Sequence, residues 1–174
     1  MMNLPQLPFV FAIVVGAVAC VCDLRTRRIP NILTFGAALA AMATLGLANG
    51  ADGLLVSVQG WLLGVALFFP FFALGGLGGG DVKLMGALGA WLGPALTLHL
   101  GLYASLAGGA MAVVVALRAS YLTQALRNVQ LLGNIWLTTG LRPIESISLR
   151  GATTPRLAYA VPMFAGLLVT LWLQ

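Results

Sequence analysis

Two aspartates stand where a hydrophobic chain has least reason to hold them. Asp23 directly follows an apolar block in CDLRTRRIPN, and Asp81 ends a glycine run in GGLGGGDVKL. They are two of only four acidic residues, the others being Asp52 and Glu145. An acid near hydrocarbon is costly and by default marks a functional site. Two carboxylates that share a site do not both ionise easily, so one keeps a proton while the other is charged. The charged member can take a proton from water, and the neutral member can polarise a peptide carbonyl. That is aspartic-protease chemistry, which needs neither a metal nor a nucleophilic side chain. Each acid also has a purely structural reading. Asp23 can pair with Arg25, Arg27 or Arg28, and Asp81 can cap a helix starting at Val82, where an acid suits the positive end of the dipole.

The chain that must position them has 174 residues, 60% hydrophobic and only 7% charged, with a mean hydropathy of +1.01. A soluble domain carries about 25% charged residues. So few charges do not cover a water-facing surface, and an integral membrane protein is expected. The net charge of +5 does not point to nucleic acid, because the basic residues form no stripe interleaved with aromatics. Cys20 and Cys22 lie inside an apolar block and make no CxxC pair, so neither a zinc ribbon nor a disulfide framework is expected. No Lys or Arg precedes the first apolar block, and a removed signal peptide is not expected.

A spanning helix takes about 20 mostly apolar residues. Blocks 6–22, 29–48, 54–74, 95–117 and 157–173 fit that length. The shorter run 82–92, ending at Gly93-Pro94, reads as a short or tilted fourth helix. The expectation is an all-α polytopic membrane protein of about six crossings, forming a single domain over residues 1–174. The Lys/Arg bias of short loops sets the orientation. With an outer N-terminus, all nine basic residues fall on the cytoplasmic side and Asp52 is the one charge outside. Both termini then face the periplasm, and Asp23 and Asp81 sit at the cytoplasmic ends of their helices, at one depth.

Residues 119–155, between the fifth and sixth helices, mix apolar and polar residues at helical spacing. There Leu122, Leu126, Val129, Leu132 and Trp136 suit one face of a cytoplasmic helix lying on the membrane. His99, the sole histidine, is expected to be packed or to face a pore in the outer part of the fifth helix, remote from the acids. Gly78, Gly79 and Gly80 free the backbone for conformations closed to other residues, or serve as a flexible turn or a site of close helix packing. Unwound backbone at membrane depth suits a water-filled cavity. Lys83, as a nearby cation, would favour the charged form of Asp81.

The pair DLRTRRIPN and GGGDVKL resembles the type IV prepilin peptidases, and the small size is similar to their Flp-type (tight-adherence pilus) branch. The second motif is also similar to the GxGD signature of presenilin-like intramembrane aspartyl proteases. The resemblance covers essentially the whole chain, including the closing RLAYAVPMFAG. It implies an activity: members cleave the short basic leader from prepilins at the cytoplasmic face of the inner membrane, usually after a glycine. Asp23 and Asp81 match the catalytic pair. Gly78 and Gly80 match the fixed glycines of GxGD, with Gly79 between them, and Lys83 matches the lysine that commonly follows. Arg28, Pro30 and Asn31 match the tail of the first motif. Larger members carry a cytoplasmic insert with paired CxxC motifs and also N-methylate the new pilin terminus. This chain lacks that insert, so methylation is not supported and no metal or other cofactor is expected. The partners implied are a prepilin, with its basic leader and apolar helix, and membrane lipid. Two other classes compete: a small transporter using the acids as a proton relay, and a non-catalytic assembly subunit of a secretion system. A relay would spread its acids through the membrane, and an assembly subunit would tolerate loss of either one.

Overall fold

The computed structural model describes residues 6–118, 127, 130 and 158–174. Trp136, Glu145 and nearly all of the expected amphipathic segment 119–155 lie outside the described residues. Within them the chain is all-helical: α1 (Leu7–Thr26), α2 (Asn31–Ala73), α3 (Gly79–Arg118) and α4 (Ala160–Trp172). The first three are long and apolar enough to cross a membrane, whereas α4 is a shorter apolar helix.

These are four helices where about six were expected, and two glycines account for the difference. Gly50 interrupts α2 with φ 65° and ψ −147°, and Gly93 interrupts α3 with φ 74° and ψ 174°. Positive φ of this kind is cheap only for glycine. At each break the chain folds back on itself. A Cβ on Gly46 would meet Leu54 Cβ at 3.6 Å, and one on Gly101 would lie 3.5 Å from Met85 Cε. Pro94 then opens the second arm of α3, at a helical position where its missing N–H is no loss. The expected turn at Gly93-Pro94 is therefore a reversal at one residue.

Packing reverses the habit of a water-soluble bundle. On α1 the buried residues are Ala12, Val15, Gly16, Ala19 and Asp23, while Val10, Val14, Val18 and Val21 are exposed. Mostly small inside and large outside suits lipid as the solvent, where helices associate through close approach rather than hydrophobic expulsion. The same logic joins α2 to α3. Gly60 lies against the Gly89 backbone and Gly64 against Met85 and Gly86. The Ser57 hydroxyl donates to the Ala90 carbonyl across this contact at 2.8 Å.

Every residue from 84 to 92 on the first arm of α3 is buried. A helix that is apolar all round belongs inside the protein. This explains why the run 82–92 is too short for an ordinary crossing: protein rather than lipid surrounds it. Helix α4 buries Met163, Gly166 and Leu167, and it packs on α3 and α1, with Gly166 against the Ala104 backbone and Phe164 against Gly16. His99 is exposed on α3.

Candidate active site

Asp23 sits in the last turn of α1. The helix outlasts the apolar block and runs to Thr26, whose hydroxyl lies 2.9 Å from the Cys22 carbonyl and 3.1 Å from that of Arg28. Arg27 ends it in the left-handed conformation, φ 54°, with its N–H donating to the Asp23 carbonyl at 2.9 Å. Pro30, extended at ψ 135°, precedes α2, and its carbonyl accepts the N–H groups of Leu33 and Thr34. This tight connection leaves Arg25, Arg27 and Arg28 exposed and puts Asn31 at the start of α2.

Asp81 lies in the first turn of α3. Its Oδ2 accepts the Gly78 N–H at 3.0 Å, while its own N–H donates to the Gly78 carbonyl at 3.1 Å. This is the back-reaching half of a capping box. Asp81 does therefore cap a helix, but one that starts at Gly79 rather than at Val82. Of the two uses expected of the glycine run, unusual backbone conformation and close packing, the structure favours the second. The positive φ in this region belongs to Gly75, and none of Gly78, Gly79 or Gly80 adopts one. What these three supply is space. A Cβ on Gly78 would sit 3.1 Å from Asp81 Oδ2, one on Gly79 3.4 Å from the Phe72 ring, and one on Gly80 3.3 Å from Ile29 Cβ.

The two motifs meet. Ile29 of the first packs on Gly80 of the second. Lys83 donates to Asn31 Oδ1 at 2.9 Å and holds its ammonium 5.4 Å above the Phe35 ring. Asp23, only 7% exposed, lies within electrostatic reach of Asp81. The influences on Asp81 are burial, the Gly78 amide and the Asp23 charge. Among the described residues no three His, Cys, Asp or Glu side chains gather into a metal-binding group.

Two further residues reach the site without having been singled out in the sequence. The Ala160 N–H, at the start of α4, donates to Asp23 Oδ2 at 3.2 Å. Tyr159, just before it, sets its ring edge-on to Phe68 at 6.0 Å and its phenol against Gly108. The available signal was modest: an aromatic with a polar tip, placed where a basic stretch gives way to an apolar run.

The model of the type IV leader peptidase family matches residues 10–113, a span that holds both aspartates and both motifs. The chain belongs to this family. No significant match was found among curated proteins or among solved structures. In this type IV leader peptidase family member, the matched span ends before α4, so Tyr159 and Ala160 come to the acids from outside it. The Asn31–Lys83 bond is a side-chain hydrogen bond that ties the motifs together. Asn31→Ala and Lys83→Ala are expected to be non-additive in a double-mutant cycle. A coupling of about 0.5–1.5 kcal/mol, read by thermal unfolding in detergent, is the expected size for one such bond. Full additivity would show that the tie contributes nothing.

Proposed function

We propose that this chain is an aspartic endopeptidase of the inner membrane that removes the short basic leader from Flp-like prepilins. One observation carries the reading: two acids from distant parts of the chain come within electrostatic reach at one end of the bundle, one of them buried. The charged member of the pair takes a proton from a water molecule, and the resulting hydroxide adds to the scissile carbonyl carbon. The protonated member donates a hydrogen bond to that carbonyl oxygen. Collapse of the tetrahedral species breaks the C–N bond, and the proton taken from water passes to the leaving amine. Proximity of the acids at one end also speaks against a proton relay through the membrane.

The reversals at Gly50 and Gly93 support a count of six crossings within one domain: α1, two arms each of α2 and α3, and α4. Arg25, Arg27 and Arg28 beside Asp23 favour the cytoplasm for this end by the positive-inside rule, and the proposal puts both termini in the periplasm. A prepilin keeps its basic leader on that side and its apolar helix in the bilayer, so the scissile bond lies level with the dyad. Gly78 and Gly80 leave room beside Asp81 and Ile29, Asn31 and Lys83 tie the two motifs together, and Arg28 and Pro30 shape the tight connection into α2.

The test uses the full chain in lipid vesicles with a reporter that has a basic leader, a glycine at the junction and an apolar helix. Mass spectrometry is expected to show cleavage after that glycine. An intact reporter, or cuts scattered through the apolar helix, would overturn the proposal.

A further inference from the structure

We propose that the start of α4 is a positioning element for Asp23, in which Tyr159, wedged between Phe68 and Gly108, fixes the Ala160 amide that holds the carboxylate. The inference rests on the reading of Asp23 and Asp81 as the catalytic pair.

The first N–H groups of a helix have no partner within it. Ala160 is the first residue of α4, and it gives its N–H to Asp23 Oδ2 at 3.2 Å, in a buried bond between residues 137 positions apart. Asp81 is treated alike, with its Oδ2 on the Gly78 N–H at 3.0 Å. Each carboxylate thus spends one oxygen on a backbone amide beside a helix start. In the catalytic reading the other oxygen of each serves the shared proton and the water. Such an arrangement works only if both amides are held firmly.

The Gly78 amide is fixed locally, because Asp81 lies three residues away on the same chain. The Ala160 amide reaches Asp23 from a distant segment and needs another support. Tyr159 supplies it as the residue flanking α4, at φ −69° and ψ −15°. Its ring lies edge-on to Phe68 of α2, with the planes at 66°, and its phenol rests on Gly108 of α3. Ala158 and Ala160 on either side are 2% and 0% exposed, so the backbone here is enclosed. Helices α2 and α3 therefore set where the amide sits, and the amide sets the Asp23 carboxylate on α1. Gly108 is required because a Cβ there would lie 2.5 Å from the Tyr159 hydroxyl oxygen.

Tyr159 is a positioning residue, so its loss should strike turnover rather than binding. Displacement of a reacting group by about 1 Å can cost about a hundredfold in rate. The experiment uses the full chain in vesicles with the same reporter, comparing Tyr159→Ala, Tyr159→Phe, Gly108→Ala and the Gly108→Ala/Tyr159→Ala double variant. Tyr159→Ala is expected to lower kcat by about a hundredfold with KM unchanged, and Tyr159→Phe, which keeps the ring, should retain most activity. Gly108→Ala should imitate Tyr159→Ala in the wild-type background and add nothing in the double variant. Wild-type kcat in Tyr159→Ala, a rise in KM alone, equal damage from Tyr159→Phe, or additive losses would each overturn the proposal. If Tyr159→Ala does not accumulate, Gly108→Ala decides alone, and an unchanged kcat refutes it. Asp23→Asn run alongside separates the two failures. If it cuts like wild type, the catalytic pair is wrong; if it is inactive while Tyr159→Ala is normal, only the positioning role falls.

Discussion

Replacing either Asp23 or Asp81 by asparagine is expected to lower leader cleavage by about 10²–10⁴-fold, the usual contribution of a positioned acid or base. Folded protein should still accumulate. Asparagine keeps one carbonyl oxygen, so the Gly78 amide at position 81 and the Ala160 amide at position 23 each retain an acceptor. What disappears is the titratable proton. The substitution therefore removes acid–base chemistry and leaves the local hydrogen bonds in place. Single-turnover cleavage of the reporter measures the loss, and thermal unfolding in detergent confirms the fold. A variant cutting at the wild-type rate would show that the acid it lacks takes no part in the chemistry.

Gly60→Leu is expected to prevent the protein from accumulating. The first carbon of the new side chain would land on the Gly89 carbonyl, with the Gly93 Cα 2.9 Å away. Backbone surrounds the site, so no flexible side chain can yield. Over-packing commonly costs about 1–3 kcal/mol and sometimes more. Here the helices themselves must separate, breaking the buried Ser57–Ala90 hydrogen bond with them. Against a typical stability of about 5–15 kcal/mol, such a loss is large. Gly36→Leu is the control, since a Cβ at Gly36 meets nothing within 4 Å. Membrane yield and thermal unfolding are the measurements, and equal behaviour of the two variants would show that α2 and α3 do not approach at Gly60.

The helical blocks were legible because hydrocarbon thickness dictates run length, so that 54–74 foreshadowed the arm ending at Ala73. Asp23 and Asp81 were legible because acids are so scarce in this chain. The extension of α1 to Thr26 was not, since a helix leaving the hydrocarbon can continue through polar residues that carry no apolar period. The role of the glycine run stayed open in the sequence for a related reason. Glycine serves both unusual φ and tight space, and only the presence of Ile29 beside Gly80 distinguishes them. The contribution of Ala160 was invisible, because a backbone N–H has no residue signature and its partner lies far away in sequence.

The enclosed arm of α3 has a bearing on where the peptidase can work. Residues 84–92 carry Asp81 on a segment screened from the acyl chains. Bilayers of different thickness act on the perimeter, on exposed faces such as Val14 and Val18 of α1. Mismatch there is relieved by tilt, at fractions of a kcal/mol per ångström. The immersion depth of the carboxyl group is thus referenced to its protein neighbours, as a keel is to its hull, and shifts in lipid composition reach it only after the outer helices have absorbed them.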